Sequence, residues 1–252
     1  MIMKTFGNIS YGLHPANVLD IYLPDCDEFP VYVHFHVGVL EAGSKGDVNT
    51  PVPAAQYLTD QGIAVVSAEY RMYPTAVYPE FIRDAAAAVA WVKDHINDYG
   101  KCSKIFVGGS SAGGYLSMML CFDKKWLAPY KIDPSTLAGF IHDAGQPTTH
   151  FNVLRERGLD SRRNIIDDAA PIYHIGTSAA YAPMKFIVSD NDMACRYEQT
   201  MLVLAAMKNF GYDMSKVEHV LMHGTHTSYG NQYDENGISI YGQLIGDFIK
   251  KY

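Results

Sequence analysis

One stretch of this chain constrains the fold more than any other: Ile105-Phe106-Val107-Gly108-Gly109-Ser110-Ser111-Ala112-Gly113-Gly114-Tyr115. An apolar run ends in small residues, and a helical pattern, Ala112–Phe122, begins at once. Within it Gly109-Ser110-Ser111-Ala112-Gly113 has the form G-x-S-x-G, flanked as that motif requires by a strand before and a helix after. A serine on so tight a strand-to-helix turn sits in strained backbone. The residues two before and two after it must be small because strand and helix approach closely. The helix N-terminus then aims free N–H groups at whatever reacts with the serine. Ser111 has glycine in both flanking slots. The frame of Ser110 would put Ala112 in one of them, so Ser111 is the candidate nucleophile. No G-K-[ST] follows, which argues against a phosphate loop.

The rest of the chain repeats the same alternation. Val18–Leu23, Val31–Val37, Ile63–Ala68, Lys104–Val107, Leu137–His142, Met184–Ser189 and Val217–Met222 read as strands. Ala54–Asp60, Glu80–Tyr99, Ala112–Phe122, Tyr197–Phe210 and Ile238–Lys250 read as helices. Strands joined by helical crossovers predict an α/β fold with a mostly parallel sheet and helices on both faces. No helix separates the first two strands, which are expected to pair antiparallel at one edge. Residues 146–183 interrupt the rhythm; so long a connection above the strand ends predicts a short lid on a single domain spanning 1–252.

A serine needs a base, and the base needs a third group that fixes its tautomer. In this order of elements the acid follows the serine and the histidine comes last, each just after a strand. Asp192 follows Met184–Ser189, with Asp190 as runner-up. His226 follows the final strand; His219 reads as structural, and His223 as a residue able to line the pocket. Ala112 supplies one N–H for a developing oxyanion.

These motifs, together with His36-Val37-Gly38-Val39, Tyr70-Arg71, Pro79 and Asp84, resemble the α/β-hydrolase superfamily. The likeness is to esterases similar to hormone-sensitive lipase and the small bacterial carboxylesterases. It runs from about Val18 to the C-terminal helix. It implies a three-layer sandwich and a serine carboxylesterase; with only the short insert 146–183 as a lid, short-chain or acetyl esters of small molecules are the expected substrates. The implied triad is Ser111, Asp192 and His226. The implied oxyanion and substrate-binding set is His36, Val37, Gly38 and Ala112, with no cofactor and no metal. The alternatives are a small-molecule binder of the same fold and a peptidase of the same fold.

The family's H-G-G-G segment stands here as His36-Val37-Gly38-Val39. Valines at two of three glycine positions are stiff and tolerate positive φ poorly, so the expectation is a narrowed pocket with ester turnover reduced but retained. His34 and His36 lie two apart on a strand and face one side, a metal-ligand spacing only if a third ligand exists. Arg71 is expected to pair with Asp84 or backbone, and Trp91 to lie in the core. The arginines between Arg155 and Arg163 read as a solvated lid face.

Composition adds exclusions. With 48% hydrophobic and 19% charged residues, the chain is not disordered. A net charge of -7 argues against nucleic acid. No apolar run suits a membrane span, and Met1–Tyr22 lacks a signal-peptide core. Cys26, Cys102, Cys121 and Cys195 form no CxxC pair, which suits reduced thiols and a cytoplasmic setting. A homodimer is compatible with the sequence.

Overall fold

The computed structural model describes residues 3–46 and 52–252. The elements in chain order are β1 (Lys4–Ser10), β2 (Val18–Leu23), β3 (Glu28–Phe35), α1 (Val52–Asp60), β4 (Ala64–Ala68) and α2 (Glu80–His95). Then come β5 (Lys101–Ser110), α3 (Ala112–Phe122), β6 (Gly139–Asp143), α4 (Phe151–Glu156), β7 (Met184–Asn191), α5 (Arg196–Asn209), β8 (Val217–Thr225) and α6 (Ile240–Lys251). One eight-stranded sheet runs β1-β2-β4-β3-β5-β6-β7-β8. From β4 to β8 every pairing is parallel; β1 with β2 and β2 with β4 are antiparallel.

Two expectations need correction. β2 does not pair with β3: it lies antiparallel to β4, which separates the two. The short link between β2 and β3 therefore passes over β4, because β3 gains more by pairing on both sides in the buried centre of the sheet. The strand read as Val31–Val37 runs from Glu28 to Phe35. Its apolar run continues into Val37, but Gly38 at φ 126° turns the chain away.

The sheet carries apolar layers on both faces. On one, Val31, Val33, Phe35 and Val107 pack with Phe81, Ala85 and Val89 of α2 and with α3. On the other, Tyr32, Val65, Phe106 and Ile187 pack with Ala54 and Leu58 of α1 and Ile245 and Phe248 of α6. Every residue of α3 is buried, as its all-round apolar composition dictates. α2 stays amphipathic, with Lys93 and His95 in its last turn, where cations complement the helix dipole. Its predicted end at Tyr99 is a 3₁₀ turn, Ile96–Asp98. Trp91 is half-buried against this core. Among the described residues no helix is long and apolar enough to cross a membrane.

Candidate active site

Parallel register brings the site together. Phe35 pairs with Gly109, Ser110 with Asp143, and Asn191 with Thr225. The residues one step beyond Ser110, Asn191 and Thr225 are Ser111, Asp192 and His226, so three strand exits meet at one end of the sheet.

Ser111 has φ 54° and ψ -109°, a strained conformation for a residue with a Cβ. Its N–H donates to the Asp143 carbonyl at 2.8 Å, and its carbonyl accepts from Tyr115 N–H at 3.0 Å. The turn is this tight because α3 presses on β3. A Cβ on Gly113 would lie 1.9 Å from the Phe35 carbonyl oxygen, and one on Gly109 would lie 2.6 Å from it. The glycine spacing is thus a packing requirement.

Ser111 Oγ lies 2.8 Å from His226 Nε2, and His226 Nδ1 lies 2.5 Å from Asp192 Oδ1. The Asp192 side chain is 1% exposed and that of His226 22%. Burial works to raise the Asp192 carboxyl. The hydrogen bond and charge of His226 and the backbone N–H groups of Met193 and Ser189 outweigh it, and the group titrates below its ordinary value. The carboxylate is therefore ionised and oriented at neutral pH. Such an arrangement can pass a proton from a serine hydroxyl to an imidazole held in one tautomer.

The competitors are used elsewhere. Ser110 turns its hydroxyl onto Asp143 and Tyr241. Asp190 Oδ2 binds His223 Nδ1 at 2.6 Å, with the His223 side chain 91% exposed. His223 thus faces solvent and does not line the pocket, because it pairs with the outer of the two aspartates.

The loop after β3 bends through three consecutive residues of positive φ. Gly38 holds φ 126°, and Val39 and Leu40 sit in the left-handed region at 57° and 65°. A Cβ on Gly38 would fall 1.8 Å from the Ala42 carbonyl oxygen, so only glycine fits there. The strain at Val39 is held by surrounding bonds. Glu41 and Ala42 N–H both donate to the Gly38 carbonyl at 2.9 Å, Tyr73 N–H to that of Leu40 at 2.8 Å, and Asn152 Nδ2 to that of Val39 at 3.0 Å. No carbonyl of the described residues accepts Gly38 N–H or Val39 N–H. Ala112 N–H, first in α3, has no acceptor within its own helix.

His36 anchors this loop. Its ring is buried and stacks on Tyr70 at 4.4 Å between centroids; Nδ1 donates to the Val37 carbonyl at 2.6 Å, and Nε2 lies 3.2 Å from Glu69 Oε2. Tyr70 OH donates to the His36 carbonyl at 3.0 Å. Burial acts to raise the Glu69 carboxyl, but hydrogen bonds from His36 and Lys45 N–H win and lower it. His34 meets Tyr32 OH at 3.2 Å through Nδ1. Among the described residues no group of three or more His, Cys, Asp or Glu is placed to hold a metal. Arg71 grips Asp84 in a two-pronged pair at 2.8 and 2.9 Å. This fixes the start of α2. Arg155, Arg157 and Arg162 pair with Glu41, Asp167 and Asp160, respectively, as a solvated face would.

Sequence reasoning did not single out Glu69, Asp143, Asn152, Tyr229 or Tyr241. Only Asp143 left a signal: a carboxylate one residue past an apolar strand, at the sheet end where the serine lies.

The prolyl oligopeptidase family model matches residues 80–251, and the BD-FAE model residues 19–138. The probable carboxylic ester hydrolase LipM of Mycobacterium tuberculosis is 38% identical over 198 residues, 69% of this chain and 45% of LipM. The carboxylesterase NlhH of the same organism is 39% identical over 141 residues, 51% of this chain and 43% of NlhH. The chain spans less than half the length of these relatives. A truncated form of a carbohydrate esterase from gut microbiota superposes with a TM-score of 0.77 at 19% identity, covering 98% of this chain and 95% of that one. A thermophilic esterase of Thermogutta terrifontis does so with 0.74 at 22% identity, covering 99% and 92%. These two share the fold. The chain belongs to the α/β-hydrolase superfamily, in the prolyl oligopeptidase family, with esterases resembling hormone-sensitive lipase among its relatives.

Proposed function

We propose that the chain is a serine carboxylesterase that hydrolyses short-chain or acetyl esters of small molecules. The observation that carries this reading is the unbroken chain Ser111 Oγ–His226–Asp192 at 2.8 and 2.5 Å. Ser111 attacks the ester carbonyl while His226 Nε2 takes its proton. Asp192 holds Nδ1–H and stabilises the imidazolium. The carbonyl oxygen becomes an oxyanion facing Ala112 N–H and the Val37–Gly38 backbone, each donor worth on the order of 10²–10³ in rate. His226 returns the proton to the departing alcohol, leaving an acyl group on Ser111. Water, deprotonated by His226, then attacks the acyl carbon and frees the acid.

Residues 146–183 act as a short lid on a single domain. Tyr115 OH donates to the Ala169 carbonyl at 2.8 Å, and Asn152 reaches the Val39 carbonyl, so the lid and the oxyanion loop are tied together. A lid this small suits small esters. Hydrolysis of p-nitrophenyl acetate and butyrate, with Ser111→Ala as control, tests the reading; equal rates for the two proteins would defeat it. The prolyl oligopeptidase match favours one second reading, a peptidase. Faster turnover of aminoacyl arylamides than of matched esters would select it.

A further inference from the structure

The hydrolytic reading leaves one buried carboxylate unused. Asp143 ends β6, is 1% exposed, and lies directly beneath the nucleophile turn, its own carbonyl accepting Ser111 N–H at 2.8 Å. Its side chain collects hydroxyl donors from two separate elements. Ser110 Oγ of β5 donates to Oδ2, and Tyr229 OH, from the 3₁₀ turn after His226, donates to Oδ1. Tyr241 OH of α6 lies 2.7 Å from Ser110 Oγ and joins the cluster through it. Beside it, the Tyr241 ring meets His34 edge-on at 6.4 Å between centroids, and Tyr32 OH of β3 meets His34 Nδ1 at 3.2 Å.

We propose that Asp143 is a positioning residue for the site: a buried carboxylate that ties the turn bearing Ser111 to the loop bearing His226. The bond to Ser110 holds the residue before the nucleophile, and the bond to Tyr229 holds the chain three residues after the base. One side chain thus spans both partners of the Ser111–His226 hydrogen bond. The proposal rests on the esterase reading above.

The charges around Asp143 show how it acts. Burial raises its carboxyl to about 6, against the hydrogen bonds of Ser110 and Tyr229 and the charge of His226. Tyr229 and Tyr241 are pushed well above their ordinary range by burial and stay phenols that donate. His34 is held neutral by burial and, to a lesser degree, by His36. The groups facing Asp143 from β3, β5 and α6 are therefore uncharged. Arg196 of α5, buried and donating to the Ala144 carbonyl, is a fixed cation one residue along; His226 is the cation that comes and goes, charged when it takes the Ser111 proton during acyl transfer. An ionised Asp143 favours that state; a protonated one does not.

Asp143→Asn keeps the shape and removes the charge. Relative to wild type at pH 8, kcat should fall about tenfold with KM within twofold. The acid limb of the kcat/KM profile, steeper than one proton in the wild type, should fall to a single ionisation. The thermal midpoint should be unchanged or higher, because an unfavourably buried charge is gone. Tyr229→Phe, which unhooks only the His226 loop, should move kcat in the same direction by less. An unchanged kcat and acid limb would overturn the proposal. So would a lower midpoint with an unchanged acid limb, the result of a purely structural role. If the wild type hydrolyses no ester, the esterase reading fails on its own. The ring-proton resonance of His226 then decides: its titration shifts in Asp143→Asn if the two are coupled and is unmoved if they are not.

Discussion

Adding a single methyl group at Gly113 should dismantle the site without touching a reacting atom. The ideal Cβ there lies 1.9 Å from the Phe35 carbonyl oxygen and 2.5 Å from the Phe35 carbonyl carbon. Both belong to backbone at the end of β3, held on each side by β4 and β5, so no side chain can swing aside. A tolerable contact needs at least 3.0 Å, and α3 must retreat by about 1 Å. Overpacking of this kind costs about 1–3 kcal/mol where side chains can adjust, and the upper end applies where they cannot. For a chain of this size that is a fall of roughly 6–12 °C in thermal midpoint. Ser111 rides on the same helix end. A shift of about 1 Å carries its Oγ beyond hydrogen-bond reach of His226, and misplacement on that scale costs on the order of 10² in rate. Gly113→Ala should therefore lower both the midpoint, read by circular dichroism, and kcat on p-nitrophenyl butyrate. A variant within 2 °C and twofold of wild type would show that close helix–strand approach does not set the nucleophile.

Other expectations follow from the same geometry. Asp192→Asn should lower kcat by about 10²–10⁴. Asp190→Asn, which loses only its exposed His223 partner, should stay within twofold; steady-state kinetics on the pair would expose a swapped assignment. Replacing Val37 and Val39 together by glycine should raise kcat/KM by relaxing a loop that now holds a β-branched residue at φ 57°, and an unchanged or lower value refutes that. His142 is fully buried, and burial lowers its ring to about 3. The folded state therefore resists a proton the unfolded chain takes up below about 6.5, so stability falls as pH drops through that window, by about 2 kcal/mol between pH 7 and 5. Urea unfolding of His142→Phe should show a flatter pH dependence there. Glu69, lowered in the fold, contributes stability that is full above the ordinary carboxyl value of 4.5 and lost as pH falls through its lower folded value. Glu69→Gln should flatten acid unfolding below pH 4.5, and an unchanged curve would remove Glu69 from the account.

What the sequence made legible was local. β2 was bounded to the residue, and Ser111, Asp192 and His226 stood out because each follows an apolar run read as a strand by three or four residues. β1 went unread because KTFGNIS is almost wholly exposed and lacks an alternating apolar face; it is a strand only because β2 offers it an edge. The order of β2, β4 and β3 was misjudged for a related reason. Chain adjacency favours pairing β2 with β3, whereas burial of β3 between two parallel neighbours decides it. Asp143, Tyr229 and Tyr241 meet across 86 and more residues of chain, and no spacing rule joins them. The two valines were visible as an anomaly, but the bonds from Asn152 and Tyr73 that hold the strained loop come from distant segments.

The proposal that Ser111 is a nucleophile activated by His226 can be tested on the serine itself. An organophosphate ester carrying a p-nitrophenolate leaving group tests it directly, since it phosphorylates an activated serine and stops there. Intact mass and peptide mapping after incubation should give one adduct per chain, on the peptide containing Ser111, with p-nitrophenolate released in equal amount and none from Ser111→Ala or His226→Ala. Label on another residue, or labelling of either variant to the wild-type extent, would contradict it.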